Sequence, residues 1–163
     1  MSAKANQVPY YIAMTVYLGL NAFIYFVQNQ LVTGYMSDVY LASSFGCGLL
    51  AVASFLYLLL EDQGANTLDA SVSFIGINLN KAVWYLGVIA AIGVRGYFAY
   101  QTNHNTTGAE SVWGYVWLGA SVVLFLMTFP NAKQHLKAKA QAAQNRAKLA
   151  AQEATKASTE QKA

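Results

Sequence analysis

Arg95 is the residue in this chain whose type and position point most directly to chemistry. It stands in VWYLGVIAAIGVRGYFAY (83–100), a stretch that is otherwise apolar with aromatic residues at both ends. A guanidinium inside lipid has to face protein, water or the headgroup layer, and its planar fork matches a carboxylate or a phosphate. Gly87, Ala91, Arg95 and Ala99 recur every four residues, so on a helix they share one stripe. Small residues on that stripe let a neighbouring backbone come close, which turns Arg95 into a helix bundle. Its expected partner is Asp38 or Glu110, the acidic residues on the same side of the membrane. The plainer alternative is snorkelling, in which the long side chain reaches the headgroups.

The second polar feature lies in the first apolar run. Tyr10, Tyr17, Asn21, Tyr25 and Gln28 fall on one helical face. Such a face is too polar to meet lipid cheaply, so it is expected to hydrogen-bond to other helices or, as a rival reading, to line a pathway. Asn105-Thr106-Thr107 matches the acceptor pattern for N-glycosylation, and Asn105 falls on an outer turn.

The remaining inventory is thin. Cys47 is the single cysteine and sits in an apolar run, so neither an intrachain disulfide nor a cysteine metal site can form. His104 and His135 fall on opposite sides of the membrane, which leaves neither with a second ligand at useful spacing. There is no paired-carboxylate, Ser/His/Asp or glycine-rich phosphate pattern. No catalytic residue, metal or cofactor is predicted.

These residues need elements to hold them, and the composition says which. The 163 residues are 56% hydrophobic and 10% charged, against about 25% charged in an ordinary soluble domain. An all-α integral membrane four-helix bundle with a polar, basic C-terminal tail is predicted. Residues 1–130 form the transmembrane domain, with spans at about 10–27, 39–60, 83–100 and 112–129, each long enough for the roughly 30 Å hydrocarbon core. Pro9 suits the first turn of the first span, and Ser44 and Gly48 mark a close helix contact on the second. Residues 101–110 read as a polar turn, and Pro130 closes the last apolar run.

The segment 65–80 is the hardest to place. Ser71-Val72-Ser73-Phe74 alternates like a strand, but the alternation breaks at Ile75. A helix from 70 to 100 would be about 46 Å long, well beyond the core. An interfacial helix or re-entrant turn is therefore expected. Residues 131–163, rich in Ala, Lys and Gln, favour helix but offer almost no apolar face, so they are read as a flexible or fraying helical tail.

Charge orients the chain. Residues 1–130 carry Lys4, Lys81 and Arg95 against Asp38, Glu61, Asp62, Asp69 and Glu110, while the tail carries seven basic residues against Glu153 and Glu160. The basic balance thus describes a tail and gives no ground for nucleic-acid binding. The positive-inside rule puts the tail, and with four spans the N-terminus, on the cytoplasmic or equivalent organellar side. The expected partners are the bilayer, other transmembrane helices (of unlike subunits or of further copies) and anionic lipid at the tail.

Three functions fit, in this order: a non-enzymatic accessory or scaffold subunit of a larger membrane assembly; a small oligomeric transporter or channel with Arg95 facing an anionic solute; and an integral-membrane enzyme on a lipid-soluble substrate. The last is weakest, because one arginine without a positioned acid or base is a poor catalytic set.

Overall fold

The computed structural model describes residues 7–63, 68–105 and 107–160, the side chains of 109–110 and 156–160 excepted. Among the described residues there are four long helices, α1 (Val8–Leu31), α2 (Tyr35–Asp62), α3 (Lys81–Asn105) and α4 (Ala109–Glu160), and two short strands, β1 (Ser71–Phe74) and β2 (Ile77–Asn80). All four helices are long and apolar enough to cross a membrane. The chain is a multi-pass, all-α membrane bundle.

Every helix runs past its predicted span. The apolar run measures only the lipid layer, whereas backbone hydrogen bonding favours continuing the helix through the polar interface. Hence α1 includes Gln28-Asn29-Gln30, and α3 continues through Gln101 to Asn105, which shortens the expected turn at 101–110 to the few residues before Ala109.

The segment 65–80 corrects the expectation. Residues 64–67 lie outside the described set, but Ser71–Phe74 and Ile77–Asn80 pair antiparallel as a hairpin, with Phe74 opposite Ile77. Ile75 and Gly76 form its turn at φ 50° and 74°, as a two-residue primed turn requires. The alternation breaks at Ile75 because the chain turns there. Tyr57 donates a 2.9 Å hydrogen bond to the Leu79 carbonyl and pins the hairpin to α2. Asn80 then caps α3, its Oδ1 accepting from the Val83 amide at 2.9 Å.

Pro130 closes the apolar run without ending the helix; α4 is continuous from Ala109 to Glu160. Proline removes one ladder bond, and here it does so at an exposed position next to the membrane boundary. The first turns beyond it are packed rather than free. His135 is buried with its ring 5.8 Å from that of Tyr85, and Arg146 makes a 2.7 Å ion pair with Asp69. Burial, with Lys81 and Lys139 nearby, lowers the His135 pKa against the opposing pull of Asp69.

The helices pair as two antiparallel hairpins. Within the first, Ser44 Oγ donates to the Ala22 carbonyl at 2.7 Å, and Gly48 faces Ala22, so small residues bring α2 onto α1. Within the second, Gly96 faces Ser121 and Gly114 lies against Asn103. Large rings fill the space between the hairpins. Tyr10, Tyr11, Tyr57, Trp84 and Tyr85 form a buried cluster toward the end where α1 and α3 begin. Trp84 Nε1 donates to Ser54 Oγ at 3.0 Å, which satisfies the one polar atom that its burial takes from water.

Candidate functional site

The polar face of α1 is turned inward, as its composition predicts. Tyr10, Tyr17, Asn21 and Tyr25 are buried and Gln28 is half-buried. Two of these residues build a ladder to α4. Tyr10 Oη donates to Thr128 Oγ1 at 2.9 Å, and Tyr17 Oη lies 2.8 Å from Ser121 Oγ. Ser121 spends its own proton on the Trp117 carbonyl, so Tyr17 is the donor in its pair. The rungs are seven residues apart on each helix, the repeat that keeps one seam facing its partner.

Continuing that register outward by seven puts Ile24 opposite Gly114. No tyrosine reaches across and no hydroxyl receives it, and a chamber of about 500 Å³ opens there, with both residues in its wall. Gln28, Tyr40, Gln101, Thr102 and Asn105 supply polar lining, and Arg95 and Trp117 form part of its inner wall.

Arg95 is only 8% exposed. Its guanidinium carbon lies 4.4 Å from the Trp117 ring centroid and 5.6 Å from that of Tyr25. Arg146 pairs with Asp69, and among the described residues no carboxylate sits against Arg95. Asp38, one expected partner, lies exposed in the first turn of α2. The Glu110 side chain, the other, is outside the described set. Among the described residues, aromatic faces meet the cation. They stabilise it by roughly 0.5–2 kcal/mol, less than the several kcal/mol that full desolvation of an ion costs.

Other polar atoms are unsatisfied as well, though the two amide oxygens among them call for a donor rather than an acceptor. Among the described residues, Arg95 Nε, Tyr25 Oη, Gln28 Oε1 and Asn21 Oδ1 are buried without a hydrogen-bond partner. Asn21 Nδ2 does donate, to the Tyr17 carbonyl at 2.8 Å. Asn105 is exposed at the chamber rim, bonded through Nδ2 to Gln101 Oε1 at 3.1 Å, in the last turn of α3. His104 stacks on Tyr100, and Cys47 is buried in the wall of a different cleft. No three His, Cys, Asp or Glu residues gather in a metal-ligand cluster among the described residues.

The chamber can therefore bind. It offers a cation, neutral hydrogen-bonding groups and aromatic walls, and its described lining includes no carboxylate, imidazole or thiol to move a proton or attack a substrate. Below it the Tyr17–Ser121 rung and the aromatic cluster fill the bundle. Sequence reasoning found Arg95 and the α1 face but missed Trp117 and Gly114. Trp117 belongs to a Trp113-Tyr115-Trp117 pattern that reads as an interfacial belt, and a lone glycine gives no sign of what it faces. No family model matches this chain, and neither a curated protein nor a solved structure matches it.

Proposed function

We propose that this chain is a non-enzymatic membrane protein that holds an anionic group, a carboxylate or a phosphate, in the Arg95 chamber. One observation carries the reading: a buried guanidinium faces a cavity without a counter-charge among the described residues. An anion would accept from the Arg95 guanidinium, whose Nε has no partner among the described residues. The packing beneath the chamber favours a binding site over an open channel. A transport cycle would have to break the Tyr17–Ser121 bond and part the aromatic cluster. On this reading the chamber opens on the side away from the termini, and the basic tail puts the termini on the cytoplasmic or equivalent organellar side.

A second reading, an accessory subunit of a larger membrane assembly, draws support from a separate cleft between α2 and α3. It is walled by small residues, among them Ser43, Gly46, Cys47, Ala90 and Ala91, and such a surface suits the close approach of a further helix. Purification in mild detergent separates the two. Specific thermal stabilisation of the isolated protein by small carboxylates or phosphate, lost in Arg95→Gln, supports the first. Stable copurification of unlike subunits, with no anion response, favours the second.

A further inference from the structure

Where α3 begins and α4 leaves the apolar layer, the two helices enclose a groove of about 420 Å³, remote from the Arg95 chamber. Leu86 and Ile89 of α3 and Phe129 and Leu136 of α4 wall it, and Lys133 and Lys137 stand along the same stretch of α4. Leu86 is 69% and Leu136 59% exposed, so the groove opens outward. Both lysines are exposed, and neither makes an ion pair or hydrogen bond with a described residue.

The depth of these residues says what can lie there. Phe129 ends the apolar run, so Lys133 lies about 6 Å and Lys137 about 12 Å further along the axis. The headgroup layer is roughly 5–8 Å deep on each side of the core. Helical side chains lean toward the N-terminus of their helix, which on α4 means back toward the bilayer. Lysine stems are long enough to bring both ammonium groups to one headgroup, and four-residue spacing keeps them on one face. The nearby carboxylate of Asp69 is engaged by Arg146 and leaves the lysines free for an outside anion.

We propose that this groove is a site for an anionic phospholipid, with one acyl chain along Leu86, Ile89, Phe129 and Leu136 and the phosphate between Lys133 and Lys137. The site is independent of the Arg95 chamber. A zwitterionic lipid fits the apolar wall equally well but presents the lysines with its own cation as well as its phosphate, so charge sets the selectivity.

The test uses the full chain in mild detergent, titrated with dioleoyl phosphatidylglycerol or dioleoyl phosphatidylcholine and read by native mass spectrometry. Two lysines near an anionic headgroup correspond to roughly thirtyfold in affinity. Phosphatidylglycerol is expected to be retained over phosphatidylcholine by about that factor, and the Lys133→Gln/Lys137→Gln variant to lose the preference. Lys137→Glu alone is a second route to the same loss. Inorganic phosphate is not expected to displace the lipid, because it lacks the chain that fills the groove. Arg95→Gln is expected to keep the lipid preference, which separates this site from the chamber. Equal retention of both lipids by the unaltered chain, an unchanged preference in the lysine variants, or displacement by phosphate alone would overturn the proposal.

Discussion

The guanidinium of Arg95 lies 4.4 Å from the ring centroid of Trp117, and the same indole meets the Tyr17 ring edge-on at 5.8 Å. One side chain of α4 thus touches the cation of α3 and the polar face of α1. Because Trp117 is neutral, it holds the arginine in place without cancelling its charge. With no carboxylate against Arg95 among the described residues, the site differs from a buried salt bridge, where removing the cation strands an acid.

Substitution of Arg95 tests this directly. Breaking a buried ion pair costs about 3–5 kcal/mol. Here Arg95→Gln loses cation–π contacts worth about 0.5–2 kcal/mol, offset by no longer burying a charge. Thermal unfolding in mild detergent is expected to shift by only a few degrees, while stabilisation by added carboxylate or phosphate disappears. Arg95→Lys keeps the charge but loses the planar fork and its stacking, so it is expected to show weaker anion stabilisation than the unaltered chain. A large loss of stability for Arg95→Gln, in buffer free of such anions, would point to a paired carboxylate instead.

Gly114 tests the close packing of α4 on α3 beside the chamber. A Cβ there would lie 2.5 Å from Asn103 Oδ1 and 3.2 Å from the Ala99 carbonyl oxygen. The amide can swing away, but the carbonyl belongs to the α3 backbone. Gly114→Ala is therefore expected to push α3 and α4 apart at the chamber and to destabilise by about 1–3 kcal/mol, as overpacking does. Gly119, with nothing near a Cβ, is the control: Gly119→Ala is expected to be neutral or slightly stabilising. Unfolding midpoints of the two variants decide the matter.

The hairpin offers a gain of stability. Ile75 is 89% exposed and sits at φ 50°, a region that costs a side-chain-bearing residue roughly 1–2 kcal/mol. Asparagine before glycine is the favoured pair for this turn. Ile75→Asn is expected to raise the unfolding midpoint and to slow hydrogen exchange at the amides of Ser71–Phe74 and Ile77–Asn80. Unchanged exchange with a lowered midpoint would show that the isoleucine makes a contact outweighing its strain.

What the sequence shows and what it hides divide along physical lines. Lipid imposes long apolar runs, so four spans and the inward polar face at Tyr17, Asn21 and Tyr25 could be read from composition and period. The β-hairpin could not, because its strands are four residues each and its turn places isoleucine where glycine or asparagine is usual. The Ser44–Gly48 contact was legible as a small-residue pattern. The chamber where Ile24 stands opposite Gly114 was not, since it depends on the register between α1 and α4, which the Tyr10–Thr128 and Tyr17–Ser121 pairs reveal.

The tail supplies the last test. Its composition predicts a helix with little to bury, and the structure divides it. Ala132 packs against the core and His135 is buried on Tyr85. Farther out, Arg146 with Asp69 is an ion pair between side chains 74% and 46% exposed, and such exposed pairs contribute about 0–1 kcal/mol. Truncation after Lys139 removes that pair and keeps the packed turns. It is expected to lower the unfolding midpoint by no more than a few degrees, and Asp69→Asn in the full chain is expected to match it. Truncation after Asn131 removes Ala132 and His135 as well and uncovers Tyr85, so a substantially larger loss is expected. If the shorter truncation alone caused the large loss while Asp69→Asn did not, the outer helix would have to pack through contacts other than Arg146.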